Sequence, residues 1–237
     1  MFEETADIET ASDDYASRFA GEVGAWFLER QAAITLALLK DFPGATVLDV
    51  GGGHGQLTAP LVEAGYRLTV TGSDDACRQR LEPMIAAGKC AWQTCDNLHL
   101  PYSDKAFDVV LSFRLLPHVN RWQDFLAEIC RVANRAVIFD YPDRRSANIL
   151  YESLFALKKK VEGNTRPFTL FSRSQITAAL AAGGFAQLQL RPQFFWPMVV
   201  HRKLGRRNLS AAMEKTAAAC CLTQLFGSPV IVRADRH

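Results

Sequence analysis

The feature that most constrains the fold is a glycine-rich loop at residues 51–55, directly after a short apolar run at Thr46–Val50. The run is rich in β-branched residues, which predicts a strand buried on both faces, as in parallel sheets. A helix is predicted at about 57–64, so the loop joins a strand to a helix. Glycines are needed where the backbone turns tightly or approaches a ligand closely. The loop is therefore a candidate ligand site at the end of a parallel strand.

The spacing of the glycines argues against two common nucleotide sites. A dinucleotide site requires Gly-x-Gly-x-x-Gly, but the sixth position is Gln56 when counted from Gly51 and Thr58 when counted from Gly53. A phosphate-binding P-loop ends in Gly-Lys-Ser/Thr, which is absent. What remains is an acid, Asp49, followed by Gly-x-Gly-x-Gly. Such a loop suits the zwitterionic tail of an amino acid; the alternative is a structural turn between strand and helix.

The rest of the chain alternates between segments of strand and helix character. Strands that alternate with helices predict a parallel sheet with right-handed crossovers. A long insertion at about 193–227, which includes a helix at about 209–225, separates the last two predicted strands. The predicted strands lie at 46–50, 67–71, 92–94, 107–112, 136–141, 185–190 and 230–233.

Two acidic segments follow the second and third predicted strands. Asp74 and Asp75 come at the end of the second strand, where an acid can accept both hydrogen bonds from a ribose diol. Asp96 and Asn97 lie near the start of a run at 95–108 that joins directly to the fourth strand.

Together these segments resemble the class I S-adenosylmethionine (SAM)-dependent methyltransferases, with a ubiquinone/menaquinone-biosynthesis-like subgroup of small-molecule enzymes as the closest type. Residues 49–55 are similar to the family's first motif, Asp-x-Gly-x-Gly-x-Gly, and residues 95–108 to Asp-Ala-x-x-Leu-Pro-Phe-x-Asp-x-x-Phe-Asp. The resemblance is strongest over 45–141. It implies an α/β, Rossmann-like, seven-stranded, mostly parallel sheet with helices on both faces, an N-terminal helical lid and a helical insertion between strands six and seven.

The resemblance also implies SAM as the cofactor and S-adenosylhomocysteine as its product. In the family, the acid matching Asp74 binds the ribose, and the acid matching Asp96 accepts from the adenine amino group. Asp75 departs from the family pattern, in which this position is often apolar, so either the register is shifted by one or Asp75 is a solvated turn residue. The implied cofactor-binding residues are Asp49, Gly51, Gly52, Gly53, Asp74, Asp75, Asp96, Asn97 and Arg114.

Candidate residues for the acceptor side follow the fourth and fifth predicted strands, because ligands of open α/β sheets bind beyond the carboxyl ends of the strands. His118 is the candidate catalytic residue, as a general base, or else a structural histidine that caps the next helix. Arg114 lies near the cofactor or binds an anionic substrate, or else is a surface or ion-paired arginine. Tyr141 contacts the substrate or packs in the core or rim. Tyr15 contacts the substrate from a lid, or belongs to a plain amphipathic helix at about 15–40.

Composition narrows the remaining classes. The net charge of +2 gives no indication of nucleic-acid binding. Six cysteines without a Cys-x-x-Cys pair predict neither a metal site nor a disulfide scaffold. Residues 1–14 carry six acids and no base, which predicts a solvated, disordered tail before a single domain at 15–237. The chain start lacks a basic region followed by an apolar run, so we expect no signal peptide and a cytoplasmic protein.

The insertion combines an apolar, aromatic segment at 194–200 with a basic segment at 201–207. This order is typical of a peripheral contact with a membrane surface. The alternative is a cap over the acceptor pocket with a solvated basic edge.

The expected function is transfer of a methyl group from SAM to a small-molecule acceptor, hydrophobic or lipid-linked in one interpretation, by in-line displacement. The alternative is a protein of this fold that binds SAM or a partner without catalysis. An RNA methyltransferase is disfavoured, because the basic residues do not alternate with stacking aromatics. The sequence leaves the oligomeric state open.

Overall fold

The computed structural model describes residues 2–146 and 168–237, which contain a seven-stranded sheet. The strands are β1 Thr46–Val50, β2 Arg67–Gly72, β3 Ala91–Thr94, β4 Phe107–Ser112, β5 Ala133–Tyr141, β6 Phe185–Phe194 and β7 Ser228–Arg236. Their spatial order is β3-β2-β1-β4-β5-β7-β6; β1 to β5 pair in parallel, and β7 runs antiparallel to both neighbours. The predicted Rossmann-like, mostly parallel sheet is confirmed.

The helices follow the predicted alternation with the strands. They are α1 Ala6–Thr10, α2 Asp13–Ser17, α3 Gly21–Leu39, α4 Thr58–Glu63, α5 Glu82–Ala86, α6 Trp122–Val132, α7 Arg173–Ala182, α8 Met198–Leu204, α9 Arg207–Ala219 and α10 Leu222–Phe226. Ser172 and Gln175 form a capping box at the start of α7. The helix predicted at 15–40 is interrupted between α2 and α3, where Gly21 has a left-handed φ of 73°.

Successive residues of the central strands enter two apolar cores, one on each face of the sheet, because side chains alternate along a strand. Leu48 of β1 packs in the core that includes α6 and α7. Its neighbour Val47 packs in the core that includes Leu38 and Leu39 of α3. Burial on both faces explains why these strands read as continuous apolar runs.

The N-terminal segment differs from the solvated, disordered tail predicted for residues 1–14. It forms α1 and part of α2, and Asp7 of α1 is fully buried. The Asp7 carboxylate accepts hydrogen bonds from the Ser73 backbone N–H at 2.6 Å and from the Asn97 side-chain amide at 3.1 Å. A carboxylate can be buried when such donors are present, so the acidic composition of residues 1–14 did not predict whether Asp7 is exposed.

The insertion between β6 and β7 folds into α8, α9 and α10 and packs against α3. The rings of Trp26 and Phe27 in α3 lie 5.5 and 6.1 Å from the ring of His201 in α8, measured between centroids. The N-terminal helices and the insertion therefore form a cap over the edge of the sheet where β4 and β5 end.

The cap is held together by a buried carboxylate, that of Glu214 in α9. It accepts hydrogen bonds from the backbone N–H groups of Phe195 and Trp196, each at 2.9 Å, and contacts His201 Nε2 at 3.0 Å. His201 and Glu214 are both buried. This pairing fixes the segment after β6, which forms one wall of the site.

Candidate active site

The site lies at the carboxyl edge of the sheet, where the strand order reverses between β1 and β4. Such reversal points leave a crevice in which α/β proteins bind ligands. The glycine loop enters this crevice from β1, with Gly51 and Gly55 at left-handed φ values of 72° and 69°. His54 is buried inside the loop, and its Nδ1 accepts a hydrogen bond from the Gln56 backbone N–H at 3.3 Å. Burial lowers the pKa of His54 to about 3, so it is a neutral structural residue at neutral pH.

Asp49 presents a buried carboxylate below the glycine loop. Within residues 2–146 and 168–237 neither of its oxygens has a hydrogen-bond partner. The Gly52 backbone lies directly against it, since a Cβ added at Gly52 would be 2.2 Å from Asp49 Oδ2. Burial raises the pKa of Asp49 to about 7. A buried acid without a partner suits a ligand that brings a cationic donor, such as an ammonium group.

Three predicted cofactor residues follow β2 and β3 at the same edge. Asp74 is exposed, and its Oδ1 accepts from the Ala76 backbone N–H at 2.8 Å. Asp75 is also exposed, and its carboxylate accepts from the Thr94 hydroxyl, which lowers its pKa. Asp96 accepts from the Leu98 backbone N–H at 2.9 Å. The structure thus brings these acids to adjacent strand ends, where Asp74 and Asp96 each stabilise a local turn and Asp75 contacts β3.

Asp7 is a residue of this region that the sequence reasoning missed. Besides its two amide donors, it accepts from the Ser73 hydroxyl at 2.6 Å. A Cβ added at Gly51 would lie 3.5 Å from the Asp7 Cβ, so α1 reaches the glycine loop itself. The N-terminal segment therefore covers the edge at which Asn97 and Gly51 were expected to meet the cofactor.

Arg114 connects the glycine loop to the cap. Its guanidinium donates to the Gln31 side-chain oxygen at 2.5 Å and to that of Gln56, and lies 3.9 Å from the centre of the Phe19 ring. Its backbone N–H donates to Asp140 Oδ1 at 2.6 Å. Burial lowers the pKa of the Arg114 guanidinium. The structure therefore does not show a surface arginine without contacts.

A cavity of about 520 Å³ lies between the ends of β4 and β5 and the cap. Three of the predicted residues line it, namely Tyr15, Arg114 and His118. His118 is half-buried, and its ring lies 5.6 Å from that of Phe168. Asp140 also lines the cavity, and burial raises its pKa to about 6. Its place at the end of a buried, apolar strand is the sequence signal that could have predicted it.

Tyr141 is placed differently from the prediction that it contacts the substrate. It is fully buried, outside the cavity lining, in the core on one face of the sheet. Its ring is 6.5 Å from that of Phe139 and 6.4 Å from that of Phe171. Because side chains alternate along β5, Asp140 faces the cavity and Tyr141 does not.

Comparison with known proteins finds matches to the central part of the chain. Residues 48–139 match the family model described as "Methyltransferase domain". An uncharacterized methyltransferase of Mycobacterium avium is 31% identical over 48% of this chain and 49% of that protein. A demethylmenaquinone methyltransferase of Tropheryma whipplei is 35% identical over 43% of this chain and 44% of that protein. The chain spans about half the length of the curated relatives it matches.

The similarity to solved structures covers nearly the whole chain. Magnesium protoporphyrin IX methyltransferase from Synechocystis PCC 6803 with bound S-adenosylhomocysteine superposes with a TM-score of 0.66, at 16% identity and 97% coverage of both chains. The chain thus has the fold of the SAM-dependent methyltransferases, and residues 48–139 match the methyltransferase domain model. These findings support SAM as the cofactor.

The described residues fit that cofactor. Asp49 lacks a partner that the ammonium group of SAM would supply, and the Gly52 backbone lies directly against its carboxylate. The residues that would hold it are those of the crevice, Asp49 and Gly51–Gly53 for the amino-acid part, with Asp74, Asp96 and Asn97 at the edge for the nucleoside.

Proposed function

We propose that this protein transfers a methyl group from SAM to a small molecule bound in the cavity. The observation that carries the proposal is the position of the cavity, at the carboxyl ends of β4 and β5 and joined to the glycine loop through Arg114 and Gln56. A donor held by the loop and an acceptor held in the cavity would lie side by side. When bound, SAM supplies an electrophilic methyl group on a sulfonium centre.

The chain's contribution is mainly positioning. Methyl transfer is an in-line displacement, for which alignment of the two reactants supplies much of the rate. His118 faces the acceptor side of the cavity and is the candidate base for an acceptor that must lose a proton. This arrangement favours catalysis over the alternative of a binding protein, because the cavity offers room for a second ligand.

The acceptor that fits this cavity is largely apolar. Its volume is in the range of small-molecule sites. Aromatic side chains dominate the walls: Phe19, Phe27, Phe168, Phe194, Phe195 and Trp196. A ubiquinone biosynthesis O-methyltransferase is 29% identical over 50% of this chain, and a hydrophobic, quinone-like acceptor is part of the proposal.

A peripheral contact with membrane at 194–207 is also part of the proposal. Trp196 and Val199 are 40% and 48% exposed at the rim of the cavity, next to Arg202 and Lys203. Arg207 is paired with the Glu29 carboxylate at 2.7 Å, so it is left unchanged in the vesicle experiment below. In the described part of the chain no helix has the length and apolar character that crossing a bilayer requires.

Two experiments test these proposals. Calorimetric titration with SAM and S-adenosylhomocysteine should show binding that weakens in Asp74→Ala and Asp96→Ala, and methyl transfer to quinol-type acceptors should release S-adenosylhomocysteine. No binding by the folded wild-type protein would refute the function. Flotation with anionic vesicles should be lost when Arg202, Lys203 and Arg206 are changed to Glu; a wild type that does not float would refute the membrane contact.

A further inference from the structure

The cavity carries an excess of positive charge. Three arginines line it, Arg18, Arg114 and Arg202, against one acid among the described lining residues, Asp140. The Asp140 carboxylate is already engaged by the Arg114 backbone N–H. Asp140 therefore supplies at most one negative charge against the three arginines of the described lining.

Arg18 and Arg202 both line the cavity, and both side chains are exposed. Arg18 follows α2, and its guanidinium lies 4.9 Å from the centre of the Tyr15 ring. Arg202 belongs to α8. Burial lowers the pKa of Arg202, and the positive charge of Arg18 lowers it further.

Protein carboxylates do little to offset these two charges. Arg18 lies 4.0 Å from the exposed carboxylate of Asp14, at the limit of an ion pair. For Arg202, residues 2–146 and 168–237 provide no carboxylate within 4.0 Å. Positive charges that line a largely apolar cavity favour a ligand that brings the opposite charge.

We propose that the acceptor is an amphiphile, with an aromatic or apolar body inside the cavity and an anionic group held between Arg18 and Arg202. The inference rests on the proposed function in that it names the acceptor of the same site. The body packs against the aromatic walls. The anion, a carboxylate, sulfonate or phosphate, stays between the two arginines. The acceptor would thus be oriented along the cavity, with its far end near His118 and Arg114.

A matched pair of dyes tests the inference without turnover. The probes are 1-anilinonaphthalene-8-sulfonate, which is an anion, and N-phenyl-1-naphthylamine, which has the same aromatic body without the charge. Wild-type protein should bind the sulfonate at least tenfold more tightly. Arg202→Gln and Arg18→Gln should each weaken the sulfonate several-fold and leave the neutral dye within about twofold. Lys215→Gln, an equal change of charge at an exposed site on α9, should change neither dye.

Three results would overturn the inference. One is equal affinity of the wild type for both dyes, and another is an equal loss of both in Arg202→Gln. The third is a tenfold loss of S-adenosylhomocysteine affinity in Arg202→Gln or Arg18→Gln, which would assign the arginine to the cofactor's own carboxylate. Thermal unfolding of each variant establishes that it is folded. Failure of the wild type to bind S-adenosylhomocysteine would instead refute the proposed function, whatever the dyes show.

Discussion

Replacing Asp49 by Asn should stabilise the protein without ligand at high pH. Burial raises the pKa of Asp49 to about 7, so the folded state holds its proton more tightly than the unfolded chain does. A raised carboxyl pKa contributes stability below its ordinary value near 4, and this contribution is lost as pH rises through about 7. A shift of about three pKa units corresponds to about 4 kcal/mol at pH 8.

The gain in Asp49→Asn should be smaller than this full value. The amide has the same shape but remains a buried polar group without a partner, at a cost of about 1–3 kcal/mol. We therefore expect about 1–3 kcal/mol of added stability at pH 8 and little or none at pH 4.5, where the aspartic acid is itself neutral. Urea unfolding followed by tryptophan fluorescence at both pH values measures the difference.

The same change should weaken SAM binding. Loss of a charge-assisted hydrogen bond costs about 1.5–3 kcal/mol, or roughly 10- to 150-fold in affinity. Glu63→Gln, an exposed acid on α4, is the control and should alter neither quantity by more than about 0.5 kcal/mol. A variant that is less stable than wild type at pH 8, or a difference that does not depend on pH, would show that Asp49 is not an unpaired buried acid.

Three other changes test the cap, the role of His118 as a base, and the N-terminal segment that covers the glycine loop. Glu214→Ala should lower the free energy of unfolding by about 3–5 kcal/mol, because it leaves buried donors without an acceptor. Glu29→Ala, at the exposed pair with Arg207, should lower it by at most about 1 kcal/mol. Equal losses of the two variants in urea unfolding would contradict this. His118→Gln should lower kcat about 10²- to 10⁴-fold with S-adenosylhomocysteine affinity retained, if the acceptor loses its proton to this ring; an unchanged kcat would remove that role. Asp7→Ala should tighten SAM binding in calorimetry, since it frees Ser73 and Asn97; weaker binding would mean that Asp7 contacts the cofactor.

The parts of the fold that the sequence predicts well are those specified by local apolar patterns. The bounds predicted for β1 and β4 are the observed ones, since burial of each strand is visible in its own residues. The last two strands are longer than predicted, because β6 and β7 continue through polar residues that only their mutual pairing places in a sheet.

The contacts that shape the site could not be predicted in this way. Asp7 pairs with Ser73, 66 positions away, and no local pattern distinguishes it from the other acids of the segment. Tyr141 and Asp140 are neighbours in sequence, yet they face opposite sides of β5, and a shift of one residue in register exchanges their roles. The charge excess of the cavity likewise depends on Arg18 and Arg202, which are brought together by the cap.

Arg114 is the point at which the two halves of the site become dependent on each other. Its φ of 61° is left-handed, a conformation that costs a residue with a side chain about 1–2 kcal/mol. The conformation is held from three directions, by Asp140 on β5, by Gln31 on α3 and by Gln56 beside the glycine loop. Because the same residue contacts the loop, the cap and the cavity, it would fix the distance between donor and acceptor in the proposed reaction before either ligand binds. Such preorganisation is what a reaction driven by alignment requires, and it explains why strain is retained at this residue.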